Sequence, residues 1–270
     1  MEAPEYLVLT AAPGGQEAST KRGFTLVESL VVIAVIAVLV SIALPALRSA
    51  RSSSKEIACQ SSLRSSVQAL SGADPAGGDC WPTLFQPGQV HRTFTVGTTV
   101  YGLSPFGQCV LWIGTIVGGD RWEYADTAQF SCPEVARGAA DGEGVSASRL
   151  SYWYSSAMFT DPALWEPGKA ARRENPNQWV RPVARAQVRH PSAKVVLAES
   201  SARHGNLAPL WSGECDRVQA GFADGHVLMR SPDRATAALS IRADYSIYGL
   251  PDGITVPYSS APGGANGRDE

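Results

Sequence analysis

The chain has 270 residues, 44% of them apolar, with a formal net charge of -2 and a pI of about 6.1. That length supports one sizeable core, and the near-neutral balance, with no basic stripe interleaved with aromatics, argues against a nucleic-acid partner. Only 18% of residues are charged while Gly and Pro number 26 and 18, which favours short strands, turns and long loops over a helical bundle.

Residues 1–23 are polar, with Glu2, Glu5, Glu17, Lys21 and Arg22, and the apolar run begins abruptly after Gly23. From Ser29 to Leu47 nineteen consecutive residues carry no charge. As a helix rising about 1.5 Å per residue they extend roughly 28 Å, and with the apolar residues from Phe24 the segment matches a hydrocarbon layer of about 30 Å. A secretory signal places its apolar core ahead of the cleavage site. Here the polar part comes first, so cleavage before the run leaves the helix on the mature chain.

Glu28 sits among the first apolar residues. An ionised carboxylate in hydrocarbon costs roughly 2.5 to 3.5 kcal/mol on insertion scales, so it calls for a partner: a new amino group at Phe24, one helical turn away, or the same group on a neighbouring chain. Pro45 removes a helix hydrogen bond and clashes with the preceding turn, which predicts a kink or melted turn. Beyond it Leu47, Ala50, Ser54 and Ile57 share one face, with Arg48, Arg51 and Lys55 on another. Leu63, Val67 and Leu70 continue the three-four spacing, so the helix is expected to pack an apolar stripe on a globular body.

Lys21-Arg22-Gly23-Phe24-Thr25-Leu26-Val27-Glu28 resembles the cleavage and methylation motif of type IV prepilins and type II secretion pseudopilins. The resemblance implies a prepilin peptidase that cuts between Gly23 and Phe24 and methylates the Phe24 amine. It also implies that Glu28 pairs with the Phe24 amine of a neighbouring subunit during assembly, and that Pro45 is the proline that commonly interrupts the family helix. Lys21 and Arg22 precede the span and Arg48, Arg51 and Lys55 follow it, so charge gives no orientation. The resemblance does: leader inside, body outside the inner membrane.

After Leu70, Ser71–Gly78 is turn-rich. Strands are predicted at 93–100, 109–117, 150–159, 194–199, 219–222 and 226–230, each rich in β-branched or aromatic residues or bounded by turn formers. The Gly- and Ala-rich residues 259–270 are expected to be disordered. The domain scheme is therefore a leader (1–23), a transmembrane assembly helix (24–47), its amphipathic continuation (48–70), a periplasmic β-rich domain (71–258) and a disordered tail (259–270). The fold class is α+β, a long N-terminal helix packed on an antiparallel sheet, as in pilins.

Cys59-Gln60-Ser61-Ser62-Leu63, Phe130-Ser131-Cys132-Pro133, the stretch from His190 to Glu199, and Gly221-Phe222-Ala223-Asp224-Gly225-His226-Val227 occur in that order. Together they resemble a large pseudopilin-like family abundant in planctomycetes and marked by an H-x9-D-G motif. In this chain nineteen residues separate His204 from Asp224-Gly225, so an insertion interrupts that motif.

Five cysteines, Cys59, Cys80, Cys109, Cys132 and Cys215, show no C-x-x-C pair and no zinc-ligand spacing. An exported body admits one or two disulfides and leaves at least one thiol over. Cys59 with Cys132 is the pairing singled out, against two buried free thiols. Asp224-Gly225 reads first as a type I′ hairpin turn, and second as part of a small cation site with Glu199, His204 and His226. No ligand run matches a calcium loop; no cofactor is expected, with calcium the one alternative kept open. Nucleophile elbow, phosphate loop and H-E-x-x-H are absent from the sequence, and Ser200 or Ser201 with His204 and Asp224 lacks the frame of a catalytic serine. The sequence thus points to a non-enzymatic pilin-like subunit that meets prepilin peptidase, sibling subunits and the inner membrane. The alternative is a membrane-tethered module that binds a cation, a glycan or a cargo protein.

Overall fold

The structure is a computed structural model that describes residues 24–73, 78–122, 129–133, 151–201, 204, 208–210, 212–239, 256–259 and 261–269. The chain divides into two compact units, Met1–Ser49 and Ala50–Glu270.

A single helix, α1 (Leu26–Gly72), runs through the uncharged segment and on into the second unit. Its backbone stays helical through Pro45, so of the kink or melted turn expected there the melted turn does not occur. A proline forfeits one hydrogen bond and strains one turn, and the strong helix formers on both sides restore the ladder at once. The expected stripe holds at Leu63, Val67 and Leu70 and is corrected before them. Leu47, Ala50, Ser54 and Ile57 are exposed, and burial begins at Cys59 and continues through Leu63, Ser66, Val67 and Leu70.

In the second unit, β4 (Tyr152–Tyr154), β5 (Val195–Glu199), β6 (Val218–Phe222) and β7 (Val227–Arg230) form an antiparallel sheet in the order β4-β5-β6-β7. β5 and β6 are buried at every position. The reason is that both faces are covered. Leu63 and Val67 of α1 pack with Tyr154, Val196 and Leu197, while Trp153, Val195, Ala198, Ala220 and Phe222 pack with Leu210, Val256 and Tyr258. A strand covered on two sides loses the alternation of a half-solvated one, hence the run Val195-Val196-Leu197-Ala198. Gly221 permits the close approach of the helix, because a Cβ there would lie 2.6 Å from Val67 Cγ2 and 3.4 Å from Leu63 Cγ.

A second, three-stranded sheet holds β1 (Arg92–Val96), β2 (Thr99–Leu103) and β3 (Arg121–Trp122), in the order β2-β1-β3. The single strand predicted over 93–100 is therefore a hairpin, broken where Gly97 takes a φ of +58°. The strand predicted over 109–117 is also corrected: a 3-10 turn (Pro105–Cys109) leads into the short helix α2 (Gly114–Val117). Cys109, Val110, Leu111, Trp112 and Ile113 are all buried, and an unbroken apolar run does not distinguish a buried strand from a buried helical turn. Of the described residues 151–159 in the predicted segment, Tyr152–Tyr154 are strand, followed by a 3-10 turn at Ser156–Met158.

The described residues of the expected disordered tail, 259 and 261–269, are packed instead. Ser259, Ala261, Ala265 and Asp269 are buried, and Gly263 N–H donates to Trp165 O at 2.8 Å. Gly264, with φ +53°, lies where a Cβ would come within 2.6 Å of Trp165 Cδ1. The glycines that suggested flexibility supply left-handed backbone and close packing.

Candidate functional site

Two parts of the molecule carry chemistry, and they belong to different units. In the first unit, Thr25 caps α1. Its N–H and Oγ1 both donate to Glu28 Oε2, at 2.8 and 2.7 Å, and Glu28 N–H donates back to Thr25 Oγ1 at 3.2 Å. Ser29 N–H donates to Thr25 O at 3.2 Å. This is a capping box, and its T-x-x-E signal stands in the sequence at Thr25-Leu26-Val27-Glu28. The carboxylate is thereby held at the helix start, beside the partial positive charge of the unsatisfied N–H groups. Phe24 is 73% exposed; Gly23, the other residue of the expected cleavage bond, lies outside the described residues.

From Phe24 to Leu47, Glu28 is the single charged residue, and the apolar side chains on every side of the helix are exposed, from Leu26, Val27 and Leu30 to Ile42 and Leu44. The helix is long and apolar enough to cross a membrane. A helix apolar all round is stable only when lipid or like helices cover it.

In the second unit, Cys59 on α1 and Cys132 form a disulfide. The link ties the helix to a loop seventy-three residues away in sequence. Ser62 Oγ donates to Ser131 O at 2.9 Å, and Cys132 N–H donates to Ser151 Oγ at 2.8 Å, so both polar atoms of the Ser131–Cys132 peptide are held. His204 Nε2 lies 3.9 Å from Cys132 Sγ and 3.8 Å from Glu199 Oε1. Glu199, at the end of β5, is fully buried and accepts Gln219 N–H on Oε2 at 2.9 Å. Cys59, Cys132 and His204 bring their ligand atoms within 4.8 Å of one another.

The other two residues weighed as cation ligands meet at a hairpin. Asp224 Oδ1 is 2.5 Å from His226 Nδ1 and also accepts His226 N–H at 3.2 Å, and the imidazole stacks on Phe222 with ring centres 4.2 Å apart. Gly225 N–H donates to Phe222 O and Phe222 N–H to His226 O, both at 2.9 Å. Gly225 takes a φ of +90°, while Asp224 is not among the positive-φ residues. The loop is therefore a type I turn closed by a glycine bulge, not the expected type I′ turn. Among the described residues, the group of three or more metal-compatible side chains is Cys59, Cys132 and His204, so the sequence grouping of Glu199, His204, Asp224 and His226 resolves into two separate pairs.

Residues 18–44 match the model of the prokaryotic N-terminal methylation motif. The match covers the boundary between polar leader and apolar helix and includes Gly23, Phe24 and Glu28, which marks the N terminus as type IV pilin-like. No curated protein and no solved structure matches the chain significantly.

Proposed function

We propose that the chain is a non-enzymatic, pilin-like structural subunit of the bacterial inner membrane. Prepilin peptidase cleaves it between Gly23 and Phe24 and methylates the new amine, and the helix then joins those of sibling subunits in a type II secretion pseudopilus or related filament, with the body on the periplasmic side. The observation that carries this reading is the methylation-motif match over residues 18–44, which falls on a helix exposed and apolar all round with one acid in its first turn. The body segments that resemble the H-x9-D-G pseudopilin-like family support the same assignment.

In the precursor, Thr25 holds the Glu28 carboxylate. Cleavage creates an ammonium one residue before Thr25, and the charge of a neighbouring subunit's Glu28 would compensate it in a medium where neither group has water. The test is Glu28→Ala in cells that contain prepilin peptidase. Chemical crosslinking of the wild-type chain is expected to give a ladder of multimers, and the variant to lose the ladder while its body keeps its protease resistance. An undiminished ladder from the variant would refute the role of Glu28.

A further inference from the structure

We propose that Cys59, Cys132 and His204, joined by a carboxylate oxygen of Glu199, form a zinc-class metal site in the thiol form of the protein, and that the disulfide is the alternative, metal-free state of the same site. The proposal goes beyond the assembly reading and does not rest on it, because all four residues lie in the second unit.

Two thiolates, one imidazole and one carboxylate oxygen are the ligand types of four-coordinate zinc, with bonds of about 2.3 Å to sulfur and about 2.0–2.2 Å to nitrogen or oxygen. Soft sulfur donors select zinc over calcium and magnesium, which take oxygen ligands. The sulfur and nitrogen atoms of the three residues already lie within 4.8 Å of one another, and Glu199 Oε1 is 3.8 Å from the same imidazole nitrogen. Opening the disulfide lets the two sulfurs separate around a metal, with the imidazole already 3.9 Å from Cys132 Sγ and the Glu199 carboxylate next to that imidazole.

Burial supports the same conclusion. Cys59, Cys132 and Glu199 are fully buried, and the His204 side chain is only 8% exposed. Two buried thiols beside a buried carboxylate would gain strongly from a divalent cation, since metal ligation stabilises the charged forms that burial disfavours. The supporting shell is built as well. Gln219 N–H fixes the other carboxylate oxygen of Glu199, Ser151 Oγ fixes the backbone of Cys132, and Arg217 donates to the backbone oxygen of His204 at 3.1 Å. Such outer contacts orient metal ligands.

The chemistry balances. A dithiol reductant passes two electrons to the Cys59–Cys132 bond and becomes a disulfide itself, its two protons moving to the cysteine sulfurs. Zinc then binds both sulfurs and releases those two protons. In the reverse step a disulfide oxidant accepts the two electrons and, taking two protons from water, leaves as two thiols, while the Cys59–Cys132 bond re-forms and the metal departs.

The test uses the full chain in detergent with Cys80→Ser, so that the half-buried free cysteine supplies no stray thiolate. A phosphine reductant opens the disulfide, water supplying the oxygen of the phosphine oxide and the two thiol protons. The probes are zinc chloride, cobalt chloride and calcium chloride. The reduced chain should take up one equivalent of zinc, release two protons, and give with cobalt the visible bands of a tetrahedral, thiolate-ligated ion; calcium should not bind the site. The oxidised chain should give no such signal, and His204→Ala should lower zinc affinity by about tenfold or more. Cys132→Ser should abolish binding; should that variant misfold, His204→Ala decides, since it removes no covalent link. A reduced chain without zinc uptake, equal uptake by the oxidised chain, or unchanged affinity in His204→Ala would overturn the proposal.

Discussion

Lys194 Nζ lies 2.8 Å from Asp269 Oδ1, and both side chains are completely buried. Asp269 also accepts Val195 N–H on Oδ2 at 2.7 Å, and its own N–H donates to Ala193 O at 2.8 Å. The last turn of the chain is thus clamped to the start of a central strand. Removing one partner of a buried ion pair leaves the other charge uncompensated, at a cost of about 3–5 kcal/mol. Asp269→Asn should destabilise the second unit by an amount in that range, as read from chemical denaturation followed by tryptophan fluorescence. Lys194→Met should restore much of the loss in the double variant. Additive losses would show that the two residues do not act as a pair.

The closeness of α1 to the sheet gives a second prediction. Gly221→Ala places a methyl group 2.6 Å from Val67 Cγ2, and valine is stiff at χ1. The expected loss is about 1–3 kcal/mol, the usual range for an overpacked core. Val67→Ala in the same chain should relieve part of it, and a double variant no better than the single one would show that the clash lies elsewhere.

A third prediction concerns pH. Burial pushes the Cys109 thiol and the Tyr154 phenol well above their ordinary ranges, and for Tyr154 the neighbouring Cys109 adds to the rise. Both groups stay protonated in the folded chain where the unfolded chain ionises, beginning at roughly pH 8.5 for the thiol and roughly pH 10 for the phenol. The unfolded state then binds fewer protons, so stability is full below that range and falls as pH rises. The slope should approach about 1.4 kcal/mol per pH unit for each group. Cys109→Ala should remove the earlier part of the decline, whereas an unchanged profile in that variant would rule out the thiol as its source.

How much of this was legible in the sequence depends on the kind of signal. The long helix was plain, because nineteen uncharged residues in a row have few other uses. β5, β6 and β7 were readable from β-branched and aromatic runs between turn formers, with ends shifted by a residue. The segment 109–117 was not, since Cys109 through Ile113 are buried whatever the backbone does. The C-terminal residues misled because glycine content does not separate a flexible tail from one that needs left-handed backbone under Trp165. His204 beside the two cysteines was illegible for another reason: the three positions come from a helix and two distant loops, and spacing along the chain carries no trace of such a meeting.

The helix start gives a fourth prediction. Thr25→Ala removes the side-chain half of the capping box, at a cost of about 1 kcal/mol to the first turn. Amide hydrogen exchange at Glu28 and Ser29 should quicken about fivefold in detergent, with exchange near Val38 unchanged. Equal acceleration along the helix would mean that the cap does not act locally.

The central claim is that the polar leader is removed to release an apolar helix that begins at Phe24. Intact-mass and N-terminal peptide mass spectrometry of the chain, expressed with prepilin peptidase, reads this directly. The account predicts a mature protein that starts at N-methylated Phe24 and retains the whole apolar segment. A chain that still carries Met1, or one cut beyond Leu44, would contradict it.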